Sequence, residues 1–295
     1  MRSGKIAVGL SILVLLSIKS MGHAQGLADL VAEGATLTKL AGDFRFTEGP
    51  AVDKAGNLYF SDIPNQKIHK WSVDGKLSTV REMSGGANGL YFAANGDLYA
   101  CEGTARRVTS MTPGGKVSVL ASSFAGKKLN SPNDLWVDKK GGIYFTDPRY
   151  GNMENIEQDG FHVYYISPDG KKVTRVINDM VKPNGIIGTA DNKTLYVADA
   201  GGRKIYAYRI KKPGMIGDRR TICEEGSDGM TLDSEGNIYI TTAAVQIYSP
   251  RGEKLGTIAG PEGPANVCFG GPERDTLFIT ARTSLYSIKM KVHGQ

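Results

Sequence analysis

The sequence predicts an all-β chain folded as a six-bladed β-propeller of four-stranded antiparallel blades, and three observations carry that prediction. A polar opener recurs six times, at Glu48, Asn88, Asn133, Asn184, Asp228 and Asn266. Each is followed eleven or twelve residues later by an aromatic marker: Tyr59, Tyr99, Tyr144, Tyr196, Tyr239 and Phe278. The markers lie 39 to 52 residues apart, the period of a blade of four short strands. Asp-Gly and Gly-Gly turns punctuate a chain with 38 glycines, as expected where hairpin corners need positive φ.

Taken in order, residues 1–24 read as a secretory signal peptide. Arg2 and Lys5 precede a weakly polar-to-apolar run over 6–18, and Gly22-His23-Ala24 forms a small-x-small cleavage site before Gln25. The run is shorter than the ~20 residues of a spanning helix, which favours cleavage over a retained anchor. The expected mature domain is 25–295, periplasmic or secreted. Residues 35–41 alternate apolar and polar as a strand does. After Asn266 the chain has room only for the strand of Phe278 and one over 285–288, so 35–41 is expected to complete the last blade and close the ring.

Within the blades, turns such as Val73-Asp74-Gly75-Lys76 and Pro168-Asp169-Gly170-Lys171 join the third and outermost strands. In the fourth blade Lys211 to Gly217 reads as a longer connection. No long capped helical period is present in the expected mature domain. Two insertions, 122–130 before the third opener and 149–160 after that blade's second strand, are expected on one face, because a hairpin returns the chain to the side where it began. Such loops rim a mouth and act as lids.

The net charge of +6 is spread without a run of like charges, which gives no nucleic-acid or membrane footprint. Three cysteines, Cys101, Cys223 and Cys268, leave at least one thiol free. A Cys223–Cys268 bridge suits an oxidising compartment, though sequence does not fix connectivity.

Six openers at equivalent positions surround the channel of a closed propeller. Two carboxylates and four amides make the oxygen-rich donor set of a hard divalent cation, calcium first, with magnesium or zinc as alternatives. The plainer reading is that Asn and Asp start strands by bonding their own backbone. Against it, six polar openers in register would be a costly way to line a channel. Three residues after the markers stand Asp62, Glu102, Asp147, Asp199, Thr242 and Ala281. The four carboxylates are expected back on the opener face, where they could orient the opener amides or simply tie off strand ends.

Several motifs resemble the senescence marker protein, regucalcin and gluconolactonase family over essentially the whole expected mature domain. They are Thr47-Glu48-Gly49-Pro50, Leu129-Asn130-Ser131-Pro132-Asn133-Asp134, Tyr144-Phe145-Thr146-Asp147-Pro148, Pro183-Asn184-Gly185 and Ser227-Asp228-Gly229-Met230. The resemblance implies a six-bladed fold, one divalent metal in the channel and hydrolysis of sugar lactones. It implies Glu48, Asn184 and Asp228 as direct ligands, Asn133 as the amide that completes the site or touches substrate, and Asp228 as general base. Asn88 and the Cys101-Glu102-Gly103 segment look closer to bacterial gluconolactonases. Ser131 stands where animal members have an Arg, so that residue's substrate contacts do not carry over. Asn88, Glu102, Asn133, Asp147 and Arg149 are the candidate substrate-binding residues.

The expected function is therefore an exported, divalent-metal-dependent hydrolase that opens a gluconolactone-like aldonolactone. A cation that polarises a carbonyl can also polarise a phosphoryl group, so phosphoester or organophosphate hydrolysis is the second enzyme reading. A secreted binding propeller with a structural ion is the non-enzymatic one. No Gly-x-Ser-x-Gly nucleophile competes, and His69 and His162 fall outside the opener and strand-end positions.

Overall fold

A computed structural model describes residues 25–295; the expected signal peptide, 1–24, lies outside the described residues. Five blades run in chain order over 47–81, 87–121, 135–177, 183–223 and 230–258, each a four-stranded antiparallel sheet. The sixth is built from Pro264–Gly270, Thr276–Ala281 and Ser284–Lys289, with Thr38–Ala41 as its outer strand. Thr38 pairs with Ser287 and Lys39 with Tyr286, so the ring closes as the sequence predicts, with the strand itself starting at residue 38. The first strands of successive blades touch one another, and the sixth touches the first. They form the inner wall of a channel.

The apolar core lies between blades. Cys101 and Val108 of the second blade pack on Leu135, Val137 and Phe145 of the third, and Trp136 and Tyr144 of the third pack on Ile186 and Val197 of the fourth. Middle strands are covered on both faces and become wholly apolar or tightly bonded, as in the fully buried Ile143–Asp147. Outermost strands such as Leu77–Arg81 face water and carry polar residues.

Two local expectations are corrected. The fourth blade has no long connection; its last two strands, Lys204–Lys212 and Met215–Cys223, extend to nine residues each and turn at Pro213-Gly214. The long hairpin leans on the third blade: the Gly214 amide donates to the Tyr144 hydroxyl at 2.9 Å, and a Cβ at Gly214 would meet the Tyr165 ring at 2.6 Å. The cysteines are all unpaired, with Cys223 on an outermost strand of the fourth blade and Cys268 on the innermost strand of the sixth. The only helix among the described residues is the four-residue Leu27–Leu30, whose fully buried Leu30 joins the core of the fifth and sixth blades.

The two insertions lie on the opener face and form one body. Ser123–Phe124 and Lys127–Lys128 make a small hairpin, and the buried Gln158 amide of the second insertion donates to the carbonyls of Phe124, Lys127 and Lys128 at 3.3, 2.9 and 3.1 Å. The Lys128 amide in turn donates to Glu157 at 2.7 Å.

Candidate active site

Each opener stands at or beside a break in its strand ladder: Asn88 and Asn184 fall within the break, whereas Glu48 and Asn266 are paired and border it. Register shifts fall between Glu48 and Ala51, Ala87 and Leu90, Pro183 and Ile186, and Pro264 and Asn266. A bulge frees one residue from pairing and re-aims its side chain. In the third and fifth blades the ladder starts only after Asn133 and Asp228, at Leu135 and Met230. Close approach of neighbouring inner strands explains the glycine after four openers. A Cβ at Gly49 would lie 1.8 Å from the Asn88 carbonyl oxygen, and one at Gly229 would lie 1.9 Å from the Asn266 side chain.

Glu48, Asn133, Asn184 and Asn266 are nearly or wholly buried, whereas Asp228 and Asn88 are half-buried. The Asn184 amide nitrogen donates to Asp228 Oδ1 at 2.7 Å and to the Tyr150 hydroxyl at 2.8 Å. A carboxylate only accepts, so this contact fixes the amide's orientation and leaves Asn184 Oδ1 for another partner. Glu48 Oε2 accepts from the Gly49 amide at 2.8 Å.

Burial, and then the charge of Asp228, push the Glu48 carboxyl well above its ordinary range, and burial likewise raises Asp228. Arg282 pulls Asp228 back down in part. Asp134 is a third carboxyl in this field: burial raises it to about 7, Asp228 adds to the rise, and the Asn266 side chain opposes it. None of the three is in an ion pair among the described residues, unlike buried Glu102, which Arg81 and Arg107 hold at 2.7 and 2.6 Å.

Among the described residues, no group of three or more His, Cys, Asp or Glu side chains is arranged to hold a metal. A cation here depends on amide oxygens. The donor chemistry fits a hard divalent ion: carboxylates that raise one another's proton affinity, plus an Asn whose oxygen is left free. Glu48, Asn184 and Asp228 are the residues that could hold it, with Asn133 on the adjoining strand end.

The strand-end carboxylates return to the opener face but serve its loops. Asp62 accepts the amides of Arg45 and Phe46, Asp147 those of Asn130 and Ser131, and Asp199 those of Val181 and Lys182. In each case the donors stand three and two residues before the opener. Glu102 instead takes Arg81, Arg107 and the Thr109 hydroxyl. These hydrogen bonds hold the loops that carry the openers, and do not go to the opener amides. Glu102 and Asp147 are 0 % exposed, which puts both candidate substrate contacts beneath the surface. The Arg149 guanidinium donates to the carbonyls of Asn130 and Asn152 at 2.8 Å, tying the two insertions together. Asn88 and Asn133 remain on the ring, and their side chains make no hydrogen bond among the described residues.

A family profile described as SMP-30/Gluconolactonase/LRE-like region matches residues 46–283. The chain belongs to this family. A curated relative, the gluconolactonase of Zymomonas mobilis, is 30% identical over 291 residues, covering 86% of this chain and 81% of the relative. The solved structure of a gluconolactonase from Xanthomonas campestris superposes with a TM-score of 0.84 at 30% identity, covering 90% of this chain and 92% of the other. Regucalcin of Xenopus laevis is 27% identical over 265 residues, 81% of this chain and 83% of its own.

Two residues at the site are not among the openers. Asp134 closes the Leu129–Asp134 motif and occupies the place that glycine fills after four other openers, but neither signal gives it a role at the site. Tyr150 lies in an insertion with no counterpart in the repeat, and nothing local predicts that its hydroxyl reaches Asn184.

Proposed function

We propose that the ring hydrolyses a sugar lactone of the aldonolactone class, with a divalent cation, calcium first, held by Glu48, Asn184 and Asp228. The observation that carries this reading is the Asp228–Asn184–Tyr150 chain beside Glu48: two carboxyls in no ion pair among the described residues, and an amide whose oxygen is left for a cation. The names of the relatives, gluconolactonase and lactonase, support the substrate class. When bound, such a cation polarises the lactone carbonyl and offsets the charge that develops on its oxygen.

The chain's own residues do the rest. Asp228 is half-buried, open to water on one side, and its raised proton affinity suits a general base. It takes one proton from water while the water oxygen bonds to the lactone carbonyl carbon. The ring C–O bond then breaks, the proton passes to the departing ring oxygen, and the product is the open hydroxy acid. Asn133 and Asn88, with free amide groups on the same ring, are placed to bind sugar hydroxyls. The lid formed by the insertions, with Arg149 as its tie, covers one side of the mouth. We also propose that the chain acts outside the cytoplasm, as residues 1–24 predict.

The test is Asp228→Asn beside Asn184→Asp, after a screen of aldonolactones, acyl lactones and phosphotriesters followed by proton release. Asp228→Asn should weaken metal binding, and at saturating metal kcat should still be down by about 10²–10⁴. Asn184→Asp should bind metal at least as well without gaining a base. Full recovery of kcat in Asp228→Asn at saturating metal would reassign proton abstraction, and turnover of phosphotriesters alone would replace the lactone reading.

A further inference from the structure

Lys182 stands two residues before Asn184 and is fixed from both ends. Its amide donates to Asp199 at 2.8 Å, and its ammonium lies 4.7 Å from the centre of the Tyr150 ring and 5.7 Å from that of Phe161. Tyr150 is 46% exposed, and its hydroxyl is the group that holds the Asn184 amide at 2.8 Å. An unbroken line therefore runs from Asp228 through Asn184 and across the face of Tyr150 to a positive charge.

That charge has aromatic rings and no carboxylate for a partner among the described residues. Two acids on the flanking segments are committed elsewhere. Asp199 accepts the amides of Val181, Lys182 and Gly202, and Asp179 pairs with Arg219 at 2.6 Å. A cation held over an aromatic face keeps its charge and loses part of its water, which favours a charge-assisted contact with an incoming anion. It lies against the same tyrosine whose hydroxyl holds the Asn184 amide, which puts it about one aromatic ring from the hydrolytic centre.

We infer that this site selects lactones that carry an anionic group, carboxylate or phosphate, on the side of the ring away from the lactone carbonyl, with Lys182 as the residue that reads it. The inference rests on the lactonase reading of the ring and narrows its substrate class. Tyr150 serves as the spacer that holds Lys182 beside the site and as the positioning residue for Asn184. Arg282, over Phe46 at 5.5 Å, is the cation whose field reaches Asp228 and does not belong to this subsite.

The experiment compares kcat/KM for a neutral aldonolactone, a lactone bearing a carboxylate and a phosphorylated aldonolactone, on the native protein, Lys182→Met and Lys182→Arg, at low and high salt. The native protein should prefer at least one anionic lactone by about tenfold, through KM and more strongly at low salt. Lys182→Met should abolish that preference and leave the neutral lactone within about twofold, whereas Lys182→Arg should retain most of it. The two anionic substrates separate carboxylate from phosphate. Equal use of neutral and anionic lactones, or a loss in Lys182→Met shared by all three, overturns the inference while leaving lactone hydrolysis standing. If no lactone is opened, the lactonase reading fails by itself. Calorimetry of a hexuronate against the neutral hexose then decides the subsite: Lys182-dependent preference for the uronate upholds it, and its absence overturns it.

Discussion

Glu48 and Asp228 share one physical problem, since each takes a carboxylate out of water beside the other. The folded chain raises Glu48 well above its ordinary value of 4.5, so between 4.5 and the raised value it keeps a proton that the unfolded chain has released. Stability that is present below 4.5 is therefore lost as pH rises through the folded pKa. Asp134 works in the same direction between its ordinary 3.8 and about 7. In cation-free buffer, the Tm of the native protein should fall relative to Glu48→Gln as pH rises above 4.5. Added calcium should reverse the fall in the native protein far more than in the variant. Calorimetric scans across that range check this, and a native-minus-variant difference that is flat with pH would place Glu48 in a water-like setting. The same residues explain why local sequence falls short at this scale. Asn133 and Asp228 are legible as openers, but the carboxyl of Asp134 enters the site only because the neighbouring inner strands converge there.

At the scale of elements, a strand-end Asp holding the two amides before its own opener recurs in three blades, at Asp62, Asp147 and Asp199. The covalent spacing revealed that these carboxylates return to the opener face. It did not reveal their partners, because a hydrogen bond to backbone leaves no mark on side-chain type. The lid is the other element with a testable cohesion. Gln158 is 7% exposed and satisfies three carbonyls of the facing hairpin, and its own oxygen accepts from Tyr164 at 3.3 Å. Gln158→Ala should cost about 1–3 kcal/mol by leaving buried carbonyls without donors. Hydrogen exchange should then speed up over both 123–128 and 149–160, with KM rising because Tyr150 and Arg149 ride on the same body. Exchange that quickens in only one of the two segments would show that they do not move as one.

For the whole molecule, closure of the ring is the device on which the site depends, because the sixth blade borrows Thr38–Ala41 to cover Ser284–Lys289. Export with cleavage after Ala24 would leave that strand intact, so protein recovered outside the cytoplasm should begin at Gln25, and an intact Met1 there would refute the proposal. Removing 25–41 should expose the edge at 284–289 and lose the burial of Leu30, itself worth about 2 kcal/mol. The expected outcome is a lower Tm and concentration-dependent association, read by calorimetry and light scattering; an unchanged, monodisperse protein would make the closing strand dispensable. By itself the sequence determined the blade count, the six openers, the closing strand and the shared face of the insertions, because each is a pattern repeated along the covalent chain. Only the tertiary structure decided the ladder breaks beside the openers, the arrival of Asp134, the paired use of Glu102 by Arg81 and Arg107, and the reach of Tyr150 to Asn184. Those features depend on how separate strands and loops meet, within a blade as for the bulges and Arg107 or between blades and loops as for Arg81 and Tyr150, and a periodic signal along one strand cannot report them.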